Sequence, residues 1–290
     1  HGEKYKKYWQ NVHHTIGKDI LKTHGIYWPC MLKAAGLPVF KKLVVHGHWV
    51  VDGSKMSKSL GNAIDPLTVK EKIGVDSLRY FLLRDMSFGE DSNYTEDLAI
   101  RRYNSDLANN FGNLLNRSIS MSRKNFDGCI PPLGQIGEME NELRDLFTNG
   151  VKTFQERIFD FQPHRALEHF SWLSSQVNKY IDNSKPWNLA KKLGERDRLA
   201  TVLYTALDMS RILVGLLAPV MPKKMDEAMN SLGLRNEEII FENLTPGFLE
   251  SGKKLPEPSP LFPKKLESNL ALKNGKDLLF SNKKNDPKKV

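Results

Sequence analysis

Between residues 196 and 218, apolar side chains recur three and four apart: Val202, Leu203, Ala206, Leu207, Met209, Ile212, Leu213, Leu216 and Leu217. That period belongs to one side of an α-helix, which Pro219 and Pro222 are expected to stop. The same period runs through Leu98, Tyr103, Leu107, Phe111, Leu114, Leu115 and Ile119. It follows Thr95-Glu96-Asp97, a hydroxyl and two acids that suit a helix start. Residues 138–160 and 164–182 form two further helical blocks, set apart by a Pro/Gly stretch from Gly128 to Gly137. No strand pattern of any strength follows residue 95. A bundle of four or five helices is the simplest expectation for this part.

The first ninety residues differ. Leu43–Val51 is β-branched and aromatic, which predicts a buried strand or strand pair closed by a turn at Asp52-Gly53. Residues 18–33 have helical length, interrupted by Pro29 and closed by Gly36-Leu37-Pro38. Residues 66–84 are helical in pattern. The chain therefore divides into an α/β part over 1–94 and an all-α part over 95–267. A lysine-rich tail over 268–290 is expected to be disordered. A length of 290 residues agrees with two domains.

Composition adds exclusions. The net charge is +9, but residues 251–290 carry ten lysines against four acids. The remainder is only mildly basic, so charge alone argues for neither nucleic acid nor a membrane surface. No apolar run approaches the roughly 18 residues of a membrane span, and no membrane partner is expected. Cys30 and Cys129 lie far apart and make neither a disulfide framework nor a metal knuckle. No cluster has metal-ligand spacing, so no metal site is expected, and a reducing compartment is the default.

Chemistry enters at Gly53-Ser-Lys-Met-Ser-Lys-Ser-Leu-Gly-Asn62. A Gly-bounded loop with lysines and hydroxyls near a strand end can grip a polyphosphate. Lys55-Met56-Ser57-Lys58-Ser59 resembles the KMSKS signature of class I aminoacyl-tRNA synthetases. The resemblance implies a mobile loop that closes over ATP, with Lys58 stabilising the leaving pyrophosphate and Lys55 assisting. Upstream, His14-Thr-Ile-Gly-Lys-Asp-Ile-Leu-Lys-Thr-His-Gly-Ile-Tyr-Trp-Pro29 is similar to the pattern of the methionyl-tRNA synthetase family. That likeness implies that Gly17 lets ATP approach the backbone and that Asp19 accepts hydrogen bonds from the ribose. His46-Gly47 would lie near the adenine. Ile20 and His24, four apart on one helix face, would line the methionine pocket. Thr23 and Cys30 depart from the family pattern, as small packing changes.

The helical half carries the resemblance further. Asn104 to Arg117 looks like the first anticodon-domain helix of bacterial-type members, and Asn113 and Arg117 share one face. Trp187, after Lys185-Pro186, would stack under an anticodon base, as aromatic rings do with splayed single-stranded RNA. The likeness covers roughly residues 1–267. No HIGH motif precedes residue 14, so the chain resembles a C-terminal half whose N-terminal half would be a partner. The implied function is methionine–tRNA ligation, using methionine, ATP with Mg2+, and tRNA-Met. The piece alone is expected to be inactive and monomeric. The competing expectation is a non-catalytic tRNA-binding module. The His13-His14 pair before Thr15-Ile16-Gly17 resembles mitochondrial members, which implies the mitochondrial matrix, with a bacterial or other cytoplasm as the alternative.

Overall fold

The computed structural model describes residues 2–51, 53–56, 61–235 and 241–266. Helix α1 (Glu3–Trp9) leads into β1 (His13–Gly17). A 3-10 turn at Lys18–Ile20 and π-type turns at Thr23–Tyr27 then run into α2 (Trp28–Ala34). Pro29 does not interrupt this segment. It occupies the first turn of α2, where a missing N–H goes unnoticed, so it opens the regular helix.

Strand β2 (Lys42–His46) pairs in parallel with β1, in a register that sets Gly17 opposite His46. The expected run Leu43–Val51 divides at this point. β3 (Trp49–Val51) belongs to a second sheet, antiparallel to β4 (Ser54–Lys55) and parallel to β5 (Ser92–Asn93). Gly47 is the reason. A Cβ there would lie 1.9 Å from the carbonyl oxygen of Glu90, so the crossing backbone can be met only by glycine.

Two helices follow, α3 (Pro66–Ile73), capped by the Asp65 side chain on the Leu67 amide, and α4 (Val75–Arg84). The expected start at Thr95 is observed: its hydroxyl accepts from the Leu98 amide at the head of α5 (Glu96–Arg102). α5 continues through π-type turns at Tyr103–Gly112 into α6 (Asn113–Asn125) as one rod. The bundle adds α7 (Glu138–Phe159), α8 (Pro163–Ser184), the single turn α9 (Pro186–Leu189), α10 (Arg196–Leu217) and α11 (Pro222–Ser231). Pro222, expected as a stop, is also the start of α11. After residue 95, an isolated bridge between Cys129 and Lys254 is the only β pairing among the described residues.

Helix α10 is the axis of the bundle, and every residue from Leu199 to Val214 is buried. Its length and composition would suit a membrane span, but 94% of that stretch lies inside the protein, as a core helix does. The main core joins Leu107, Phe111, Phe147, Phe170, Leu207 and Ile212, and it takes in Tyr80 from α4. A smaller core of Val69, Ile73, Phe81, Tyr94, Ala99 and Ile100 runs across residue 95. Polar ties reinforce the junction. Arg79 donates to the carbonyls of Val220 and Pro219 at 2.7 and 3.0 Å, and Asp76 accepts from the Lys224 amide at 2.7 Å. The Phe161 ring, in the α7–α8 turn, packs on His13 and lies 4.6 Å from the Lys42 ammonium. The bundle is thereby held against the β1–β2 pair.

Candidate active site and nucleic-acid interface

The parallel register brings Gly17 and His46, 29 residues apart in sequence, to the same carboxyl edge, where α/β sheets present ligand sites. The chain leaves β1 through the 3-10 turn that carries Lys18, Asp19 and Ile20. The Asp19 carboxylate folds back over the strand end, so a Cβ on Gly17 would lie 2.6 Å from Asp19 Oδ1. His46 turns its Nδ1 to the Gly47 carbonyl at 2.8 Å, which leaves Nε2 for another partner. Beneath this edge lies a cavity of about 310 Å3, mostly apolar, lined by Thr15, His46, His48, Trp49, Met86 and Pro163 among others.

Three groups absent from the sequence expectations join the edge. Lys18 Nζ reaches Asp91 Oδ2 at 2.6 Å. The His48 amide donates to Asp91 Oδ1 at 2.7 Å, and the His48 ring stands 3.5 Å from Asp19 Oδ1. The amide of His48, and then Lys18, hold the Asp91 carboxyl below its usual range. Asp91 lies 43 residues from His48, and only the tertiary fold makes them neighbours. His48 had a weak signal, as a polar residue inside an otherwise apolar run.

His24 accompanies Thr23, Tyr27, Trp28, Met31 and His14 around a cavity of about 380 Å3. Its Nδ1 is 3.1 Å from the Ile20 backbone carbonyl. Ile20 itself does not line that cavity and is 41% exposed. Lys55 is exposed on β4, and its carbonyl accepts from the Asn62 side chain at 3.3 Å. Met56 packs against the smaller core. Ser57, Lys58 and Ser59 lie outside the described residues.

In the bundle, Lys185 adopts a left-handed conformation after α8, and Pro186 restarts the chain as α9. This sharp break leaves the Trp187 ring 38% exposed. The guanidinium of Arg117 lies 5.7 Å from the centre of that ring and pairs with Asp182 at 3.0 Å. Asn113, one turn before Arg117 on α6, is exposed. A cation, an amide and an open indole on one surface can stack a base and bond its edge.

A parallel sheet edge bearing Gly17, Asp19 and His46, joined to a helical bundle, fits a class I aminoacyl-tRNA synthetase architecture. Residues 1–119 match the family described as tRNA synthetases class I (M), and residues 130–273 match the anticodon binding domain of methionyl tRNA ligase. The methionine–tRNA ligase of Caldanaerobacter subterraneus is 40% identical over 262 residues, covering 90% of this chain and 41% of that protein. That of Rickettsia prowazekii is 40% identical over 266 residues, covering 90% and 52%. The Mycobacterium tuberculosis methionyl-tRNA synthetase in complex with methionyl-adenylate superposes with a TM-score of 0.85 at 37% identity, covering 90% of this chain and 52% of that one. The chain belongs to the methionyl-tRNA synthetase family and spans about half the length of the curated relatives it matches.

Proposed function

We propose that this chain serves methionine–tRNA ligation, supplying the ATP-facing loop and strand ends together with the anticodon-reading bundle. The observation that carries the proposal is the parallel register that sets Gly17 opposite His46 and so gathers separate motif segments at one edge. In the reaction, a carboxylate oxygen of methionine attacks the α-phosphorus of ATP. The bond to the pyrophosphate oxygen breaks, leaving methionyl-adenylate. A ribose hydroxyl at the tRNA 3′ end then attacks the carbonyl carbon, and AMP leaves.

In this reading Asp19 accepts hydrogen bonds from the ribose hydroxyls of ATP. Gly17 and Gly47 lie at the strand ends beside the nucleotide, and His46 offers its free ring nitrogen to the base. Lys58, with Lys55, meets the charge that develops on the pyrophosphate, where a placed cation acts most strongly. His24 and Ile20 flank the methionine side chain. Asn113, Arg117 and Trp187 read the anticodon of tRNA-Met. Mg2+ would arrive with the phosphates of ATP.

The exposed side chains Ile20, Leu21, Ile26, Tyr27 and Met31 suit a face that packs against the rest of a catalytic fold, as relatives of about twice this length would provide. We take the working unit to be a monomer, and the mitochondrial matrix to be its location, from the likeness of His13-His14 to mitochondrial members. Expression of a tagged protein in its own cell would test the location. The function is tested by methionine-dependent ATP–pyrophosphate exchange on these 290 residues, alone and combined with an N-terminal catalytic segment. Exchange only in combination, with charging of tRNA-Met, is expected. Binding of tRNA with no exchange in either case would establish the non-catalytic module instead.

A further inference from the structure

We propose that His48 is a positioning residue for the nucleotide ribose: gripped by Asp91, it sets the orientation of the Asp19 carboxylate. The inference rests on the reading above, in which Asp19 receives the ribose hydroxyls. Asp19 stands on a short 3-10 turn, and its side chain is more than half exposed, so its own element gives it little restraint. One contact supplies that restraint, where Gly17 gives the room for it. On one side the missing Cβ of Gly17 leaves room for Oδ1 to lie over the strand end. On the other side the His48 ring places Nε2 at 3.5 Å from the same oxygen.

The histidine is in turn tightly held. Its amide donates to Asp91 Oδ1 at 2.7 Å, its carbonyl accepts from the Ser92 amide at 3.0 Å, and its ring Nδ1 lies 3.8 Å from Asp91 Oδ1. Lys18 occupies the other oxygen of Asp91 at 2.6 Å, which keeps that carboxylate from swinging away. Gly47 completes the arrangement, since only a glycine lets the segment Glu90–Asp91 press against the β2–β3 junction. A chain of contacts therefore runs from Lys18 through Asp91 and His48 to Asp19. A carboxylate held in place before the ligand arrives loses less freedom on binding than a mobile one. His48 acts through Asp19 and needs no contact with substrate itself.

The test uses an enzyme complete in both halves of the catalytic fold, carrying His48→Phe or His48→Gln. Methionine-dependent pyrophosphate exchange is measured with ATP, 2′-deoxy-ATP and 3′-deoxy-ATP. If the proposal holds, His48→Phe raises KM for ATP about tenfold, the scale of one hydrogen bond to a charged group. It changes KM far less for the deoxy-nucleotide that lacks the hydroxyl bound by Asp19, and leaves KM for methionine unchanged. His48→Gln, which keeps an N–H near the position of Nε2, restores most of the discrimination. An unchanged KM for ATP, or an equal loss with all three nucleotides, would overturn the proposal. A parent enzyme with no methionine-dependent exchange would instead break the functional reading beneath it.

Discussion

The helical bundle and the strand-bearing part use their apolar residues in opposite ways. In the bundle, most apolar side chains of the long helices pack against another helix, and α10 is enclosed on all sides, although Ile158, Phe159 and Trp172 stay exposed. In the strand-bearing part, Ile20, Leu21, Ile26, Tyr27, Met31 and Val39 are exposed. All six lie between β1 and β2, on the turns, α2 and the segment after it, outside the buried core clusters. The groups suited to chemistry, Lys18, Asp19, His48 and Asp91, sit partly open on this thinner part. Stability and chemistry are thus housed apart, which lets the reactive edge stay accessible without weakening the core.

The largest expected effect would break that comparison if it failed to appear. Asp208 and Arg211 are both buried in α10. Arg211 donates to Asp208 at 2.9 Å and to the carbonyls of Asn243 and Thr245 at 2.7 and 2.6 Å. Arg211→Met leaves Asp208 buried without its partner and should cost about 3–5 kcal/mol in urea unfolding. A loss under about 1 kcal/mol would mean that the bundle core does not dominate stability.

The next experiment sharpens the boundary. A fragment 75–266 should be about 3 kcal/mol more stable than one covering 95–266. The shorter piece loses the fully buried Tyr80, whose hydroxyl donates to Asp106 at 2.9 Å. Equal urea midpoints would show that α4 is a passenger on the bundle.

A smaller effect depends on pH. Burial alone would raise the Glu140 carboxyl, but hydrogen bonds from Arg198, Tyr180 and the Gly137 amide outweigh it and hold the group below its usual range. A depressed folded value means that this stabilisation is complete above the unfolded carboxylate range, near pH 4.3, and fades as pH falls through the folded value. Stability of the bundle should therefore drop below about pH 4 by circular dichroism, and Glu140→Gln should flatten that acid limb. An unaltered limb would assign the acid sensitivity to other groups.

The least effect on folding falls at the reading surface. Trp187→Ala should change the unfolding midpoint least of these substitutions, since Trp187 belongs to none of the buried core clusters. It should raise KM for tRNA about tenfold in a charging assay, within the ~1–3 kcal/mol of a stacked base, while pyrophosphate exchange stays constant. A markedly lowered unfolding midpoint would make Trp187 part of the core instead.

Much of the bundle was legible because its period is local. The apolar series from Val202 to Leu217 states its helix with no reference to distant residues. Thr95 was legible as a cap for the same reason. Gly47 was not: its role follows from the Glu90 carbonyl, which pattern cannot place. Helix α11 went unseen because the proline that ends one helix can begin the next. At the edge, Gly17, Asp19 and His46 were named from motif resemblance, whereas Asp91 and the His48 ring became visible only as contacts.

What the sequence determined by itself is the alternation of elements, which is written in spacing along the chain, and the family, which its motifs resemble. What only the tertiary structure decided is which polar groups meet: Lys18 with Asp91, His48 with Asp19, Arg117 with Trp187. Those meetings depend on strand register and helix packing, which bring residues together at distances that no local periodicity encodes.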